Sequence, residues 1–113
     1  MKLEPWYESL IESLSWASDI DLQRREWTDN FALTVGTPTE LVCQIFDDSG
    51  VGDLLELGFA FSDDIDGVLR RMSSLVPEID LEQSPESLLM DLKWKTFCEL
   101  SSVALAGIKK LFD

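Results

Sequence analysis

Histidine is absent from this chain, and lysine and arginine together number only 9 among 113 residues. The first absence removes the commonest general base and metal ligand at neutral pH. The second, set against 22 aspartates and glutamates, leaves a formal net charge of −13. Nucleic-acid backbones and anionic membrane surfaces are repelled by such a surface, whereas a basic protein is attracted to it. Long hydrophobic runs are also missing. No stretch approaches the ~20 apolar residues of a membrane-spanning helix. The start, Met1-Lys2-Leu3-Glu4-Pro5-Trp6, lacks the basic flank, apolar run and small-residue cleavage site of a secretory signal. Cysteine is confined to Cys43 and Cys98, far apart and each among apolar neighbours. That placement predicts two buried free thiols in a reducing compartment. No glycine-rich loop is present to cradle a phosphate. These absences predict a cytoplasmic binding protein without cofactor, metal or catalytic apparatus.

An apolar fraction of 45% is normal for a globular chain, so the acidity does not come with the low hydrophobicity of disorder. The length suits one domain over residues 1–113 with a core that needs no metal or disulfide. Hydrophobic spacing predicts an all-α, compact helical bundle of about five helices with a long C-terminal helix. The first helix spans Pro5 to Ala17, with Trp6, Leu10, Leu14 and Ala17 on one face. A second starts after Asp19 or Asp21, both good N-caps, runs through Ile20, Arg24, Trp27 and Phe31, and stops by Gly36. Residues 31–35 alternate in polarity and fit either helix or a short strand. Thr37-Pro38-Thr39-Glu40 combines a capping threonine, a first-turn proline and a glutamate three residues on, ahead of the stripe Leu41, Val42, Ile45, Phe46. Val51 to Gly58 fits a two-turn helix. Ser62-Asp63-Asp64 caps the next, faced by Ile65, Val68, Leu69, Met72 and Leu75 and stopped at Pro77. Ser84-Pro85-Glu86 opens the longest, with Leu89, Leu92, Phe97, Leu100, Val103, Ala104, Ile108 and Leu111 as its stripe and Gly107 marking a close helix crossing. This last helix is expected to be the central pillar.

Charge is unevenly spread. From Glu26 to Leu69 the acids Glu26, Asp29, Glu40, Asp47, Asp48, Asp53, Glu56, Asp63, Asp64 and Asp66 are interrupted by no lysine or arginine. Phe46, Phe59 and Phe61 fall among them. Tight interfaces place large apolar anchors within a polar ring. The partner-binding residues are therefore expected to be Asp47, Asp48, Asp53, Glu56, Phe59, Phe61, Asp63, Asp64 and Asp66, with Phe46 in the core. The bland reading of the same run is an ordinary solvated face. Calcium is not expected. Ser62-Asp63-Asp64-Ile65-Asp66-Gly67 places a glycine as an EF-hand loop does, but its first ligand would be Ser62 and its twelfth Ser73, where a bidentate glutamate is needed. Asp47 and Asp48, being adjacent, point about 100° apart on a helix and form no catalytic dyad.

In size, acidity and lack of catalytic groups the chain resembles bacterial toxin-immunity proteins, including those of contact-dependent growth inhibition and the helical colicin immunity proteins. The resemblance spans the whole chain and implies a cytoplasmic inhibitor. Such an inhibitor blocks a cognate toxin, often a basic nuclease, at its active site or at an adjacent exosite. The candidate residues themselves come from charge clustering. Two other readings stand beside it: a nucleic-acid mimic of the anti-defence kind, and an adaptor or assembly subunit in which acidity is incidental.

Overall fold

The computed structural model describes residues 5–28 and 37–111, and these form helices joined by short turns, with no strand among the described residues. The helices are α1 (Pro5–Ala17), α2 (Ile20–Thr28), α3 (Pro38–Cys43), α4 (Val51–Leu57), α5 (Asp63–Leu75), α6 (Pro85–Met90) and α7 (Leu92–Leu111). A π-helical turn, Gln44–Asp48, prolongs α3, and a 3-10 turn, Val76–Glu78, prolongs α5. The fold is all-α, as the periodicity predicts. The Phe31 position, the helix-or-strand alternative over 31–35, the stop at Gly36 and the Trp6 side chain lie outside the described residues.

Most helices begin where a side chain can satisfy an unpaired backbone N–H. Asp19 Oδ1 accepts from Leu22 N at 3.0 Å, and Thr37 Oγ1 from Glu40 N at 3.1 Å. Ser62 Oγ accepts from Ile65 N and Ser84 Oγ from Ser87 N, both at 3.2 Å. Prolines occupy the first turns of α1, α3 and α6, where a missing N–H costs nothing.

The core is built around α7, against which both α1 and α5 pack. Leu10, Leu14 and Ala17 of α1, Ile65, Leu69 and Met72 of α5, and Trp94, Phe97, Ala104 and Ile108 of α7 are buried together. Each large side chain of this set contributes roughly 1.5–3 kcal/mol of burial. A Cβ added at Gly107 would meet Ile65 Cγ1 at 3.0 Å, so the α5–α7 crossing is close, as that glycine suggests. The π-helical turn and α3 pack on α1, while α2 lies against α6. The radius of gyration, 13.7 Å, is near the ~13 Å of a compact domain of this length.

The expected long C-terminal helix is present as α7, but Ser84-Pro85-Glu86 opens a separate short helix, α6, ahead of it. At Asp91 the backbone turns extended (φ −71°, ψ 123°), and its Oδ1 accepts from Lys93 N at 2.8 Å, so Asp91 caps the start of α7. Within α7 the expected stripe holds only in part, with Phe97, Ala104 and Ile108 buried. Leu92, Val103 and Leu111, expected on the core stripe, are exposed, while Trp94, Cys98 and Ser101 are buried in their stead.

A buried amide joins three of these helices. Gln23 Nε2 donates to Trp16 O (2.8 Å), which also accepts from Asp19 N, and to Ala17 O (3.0 Å) at the end of α1. Its Oε1 accepts from Trp94 Nε1 at 3.0 Å. The Cys98 thiol lies 3.8 Å from the same amide. Burial pushes that thiol up to about 12, and the Gln23 hydrogen bond only partly opposes the shift.

Candidate partner-binding surface

The acidic corner of the molecule is shaped by small residues. Ser49, buried beneath the π-helical turn, donates its hydroxyl to Ile45 O, a carbonyl left over by the wider helix, and accepts from Val51 N at 3.1 Å. Gly50 (φ 84°) then reverses the chain into α4. Gly52 packs so close to the π-helical turn that a Cβ there would lie 2.6 Å from Phe46 O. Gly58 (φ 113°) ends α4 with the paired bonds Gly58 N→Leu55 O and Phe59 N→Leu54 O. Such an ending usually folds the following apolar residue back onto the helix. Here Phe59 stays 59% exposed and Leu57 84% exposed, so an apolar lip stands in solvent on either side of Gly58. Arg70 of α5 donates to Leu55 O and Gly58 O, both at 3.1 Å, and so ties the end of α4 to α5.

The residues expected to face a partner fall into three environments. Asp47, Asp48, Asp53 and Glu56, with Phe59, are exposed on the π-helical turn, α4 and the turn after it. Asp63 and Asp64 are exposed at the start of α5, about 10 Å along the helix from Arg70 by helical rise. Asp66 and Phe61 belong elsewhere. Asp66 is 1% exposed, and its two oxygens accept from Ala60 N (2.8 Å) and Phe61 N (2.9 Å). Its carboxylate fastens the 58–61 turn to α5 and is not available to a partner. Phe61 packs against the core, its ring 5.4 Å from that of Tyr7. Phe46 is also packed against the core, as expected, although part of it remains accessible.

Beside this corner runs a feature that charge counting does not reveal. Two open hollows, about 400 Å³ and 330 Å³, share Phe46, Asp47 and Ser73, so they form one trough. One wall is α3, its π-helical extension and α4; the other is the C-terminal half of α5 with its 3-10 extension. Val42, Cys43, Phe46, Leu55, Val76 and Leu81 supply its apolar surface. Asp47 and Glu56 supply negative charge, and Arg70 closes one end. The sequence holds the signal only indirectly: Val42, Phe46 and Val76 lie at the edges of stripes whose centres, Leu41, Ile45 and Met72, are fully buried.

The electrostatics leave the corner unneutralised. Among the described residues the single ion pair is the exposed Lys93–Glu78 contact at 3.2 Å, so Asp47, Asp48, Asp53, Glu56, Asp63 and Asp64 have no cation in ion-pair reach. The Cys43 thiol, half-buried in the trough, is pushed up by desolvation and by the neighbouring Asp47 and Asp48 charges. Asp91 is held below the usual carboxylate range by its hydrogen bond from Gln83 and by the backbone of α7's first turn. Among the described residues no three cysteine, aspartate or glutamate side chains converge as a metal cage, and no helix is long and apolar enough to cross a membrane. The chain matches no known protein-family model, no curated protein and no solved structure.

Proposed function

We propose that this chain is a cytoplasmic binding protein that neutralises a cognate basic toxin domain, of the nuclease class, by direct complex formation. The observation that carries the reading is the corner just described. Asp47, Asp48, Asp53 and Glu56 are exposed on the π-helical turn and α4, the helix that runs out into the exposed Leu57 and Phe59, with no lysine or arginine in ion-pair reach among the described residues. Carboxylates left unneutralised steer a positive partner during encounter, raising association rates toward ~10⁸–10⁹ M⁻¹s⁻¹ at low salt. Apolar anchors buried on docking then slow dissociation. A nuclease fits because its substrate-binding surface is basic by necessity.

The test is capture from bacterial host cells with tagged protein at low and high salt, followed by association kinetics on what is recovered. A basic toxin domain bound in stoichiometric amount is the expected result, with its toxicity suppressed on co-expression. Reversing Asp53 and Glu56 to lysine is expected to slow association about tenfold or more at low salt and to leave thermal stability unchanged. Unaltered kinetics would remove these residues from the interface. Competition by duplex DNA for the same target would shift the reading to nucleic-acid mimicry.

One further observation favours an assembly subunit. Met90 and Leu92 are 69% and 76% exposed on either side of Asp91. Met90 also borders a hollow of about 480 Å³ between α2 and α6 that Leu89, Arg24 and Glu86 help to line. Sedimentation of the pure protein tests this, because self-association lost in Met90→Glu would place an interface there.

A further inference from the structure

We infer that the trough between α3–α4 and α5 is the seat of one basic amphipathic helix of the partner protein. This deepens the neutralising reading above and rests on it. The apolar surface from Leu55 through Phe46 to Val76 and Leu81 is continuous, because both hollows share Phe46 and Ser73. From Arg70 to Pro77 the α5 wall runs about 11 Å, or two helical turns, which matches the i, i+3, i+4, i+7 anchors by which a helix lies in a groove. Charge decides the occupant. Asp47 and Glu56 line the trough, and Glu40, Asp48 and Asp53 are exposed on the wall that carries them. The cations near it are spoken for or turned aside. Arg70 donates to two carbonyls, Lys93 pairs with Glu78, and the exposed Arg71 does not line either hollow. Lysines or arginines flanking an apolar helix face therefore meet acids along this rim.

Cys43 makes the inference directly measurable. It lies in the trough, whereas Cys98 is buried and its thiol is held protonated up to about 12. The probe is a synthetic leucine–lysine peptide about 18 residues long, with leucines at helical i, i+3, i+4 spacing, compared with a scrambled peptide of identical composition. The amphipathic peptide is expected to slow maleimide labelling of Cys43 at least tenfold in the full chain, and the scrambled peptide is not. Ser73→Arg, an exposed change at the point both hollows share, is expected to abolish that protection without altering the melting curve. Thr39→Arg, exposed at the α3 wall, serves as a second blocking variant. Equal protection by both peptides, or protection that survives both blocking variants, overturns the trough as a helix seat. Capture of a basic partner from cells that is insensitive to both variants also overturns it, while leaving the neutralising reading intact. Peptide seating without any basic partner captured supports the trough and sinks the toxin reading.

Discussion

The junction of α1, α2 and α7 and the trough between α3–α4 and α5 hold similar ingredients: a cysteine, aromatic rings and polar side chains. They dispose of them in opposite ways. At the junction, Gln23 spends both ends of its amide on Trp16, Ala17 and Trp94, and Cys98 is sealed beside it. In the trough, Cys43 is accessible, Phe46 is half-covered, and Asp47 and Glu56 have no cation in reach among the described residues. Internally satisfied polar groups hold helices in register; outward, unneutralised ones are free to meet something else. Composition alone does not separate the two roles.

The largest effect is expected from breaking the junction. Gln23→Leu leaves the Trp94 N–H and the Ala17 carbonyl buried without partners, each costing about 1–3 kcal/mol. Urea denaturation should show a loss of about 3 kcal/mol with an unchanged slope. Capture of a partner by the fraction still folded should be unaffected.

A smaller contrast separates acids within a single helical turn. Asp66→Ala strips the Ala60 and Phe61 amides of their acceptor and is expected to cost about 2 kcal/mol. Asp64→Ala, exposed at the same helix start, should cost under about 1 kcal/mol, the dipole contribution alone. Equal losses in the two variants would contradict the division between fastening and outward-facing carboxylates.

The thiols sharpen the comparison by pH. Cys98 ionises near 9.0 when free of its surroundings and only near about 12 in the fold. Its raised value means that the folded state keeps the proton longer. The associated stability is full below pH 9 and is lost as pH rises toward 12, at up to about 1.4 kcal/mol per unit. Cys98→Ala should flatten that part of the stability curve relative to the unmodified chain. Cys43→Ala should change it less.

Much of the helical layout is legible because its signals are local. Thr37, Ser62 and Ser84 cap the helices their sequence patterns announce, and Gly50 and Gly58 bound the two-turn α4. The break at Asp91 is not legible, since Leu88 to Trp94 contains neither proline nor glycine, and an aspartate within an apolar run looks like a helix's polar face. Within α7 the buried face runs through Trp94, Phe97, Ser101, Ala104 and Ile108, so the apolar Leu92, Val103 and Leu111 fall outside it, and hydrophobicity alone does not mark which edge of the stripe is covered. Of the acidic candidates, Asp66 shares the first turn of α5 with Asp63 and Asp64. Only its position beside Ile65 and one turn before Leu69, both buried, separates it from them. The trough escapes a single-chain reading for another reason. Its walls belong to separate helices, and no periodicity within either wall records the gap between them.

That gap has an evolutionary consequence. One wall packs on α1 and the other on α7, so the solvent-exposed positions along the trough are not what holds either wall in place. Exposed positions such as Thr39 and Ser73 can change with little penalty to the fold, and changes at separated sites combine almost independently. A recognition code written on such positions can drift one residue at a time, keeping pace with a changing partner while the architecture beneath it stays fixed.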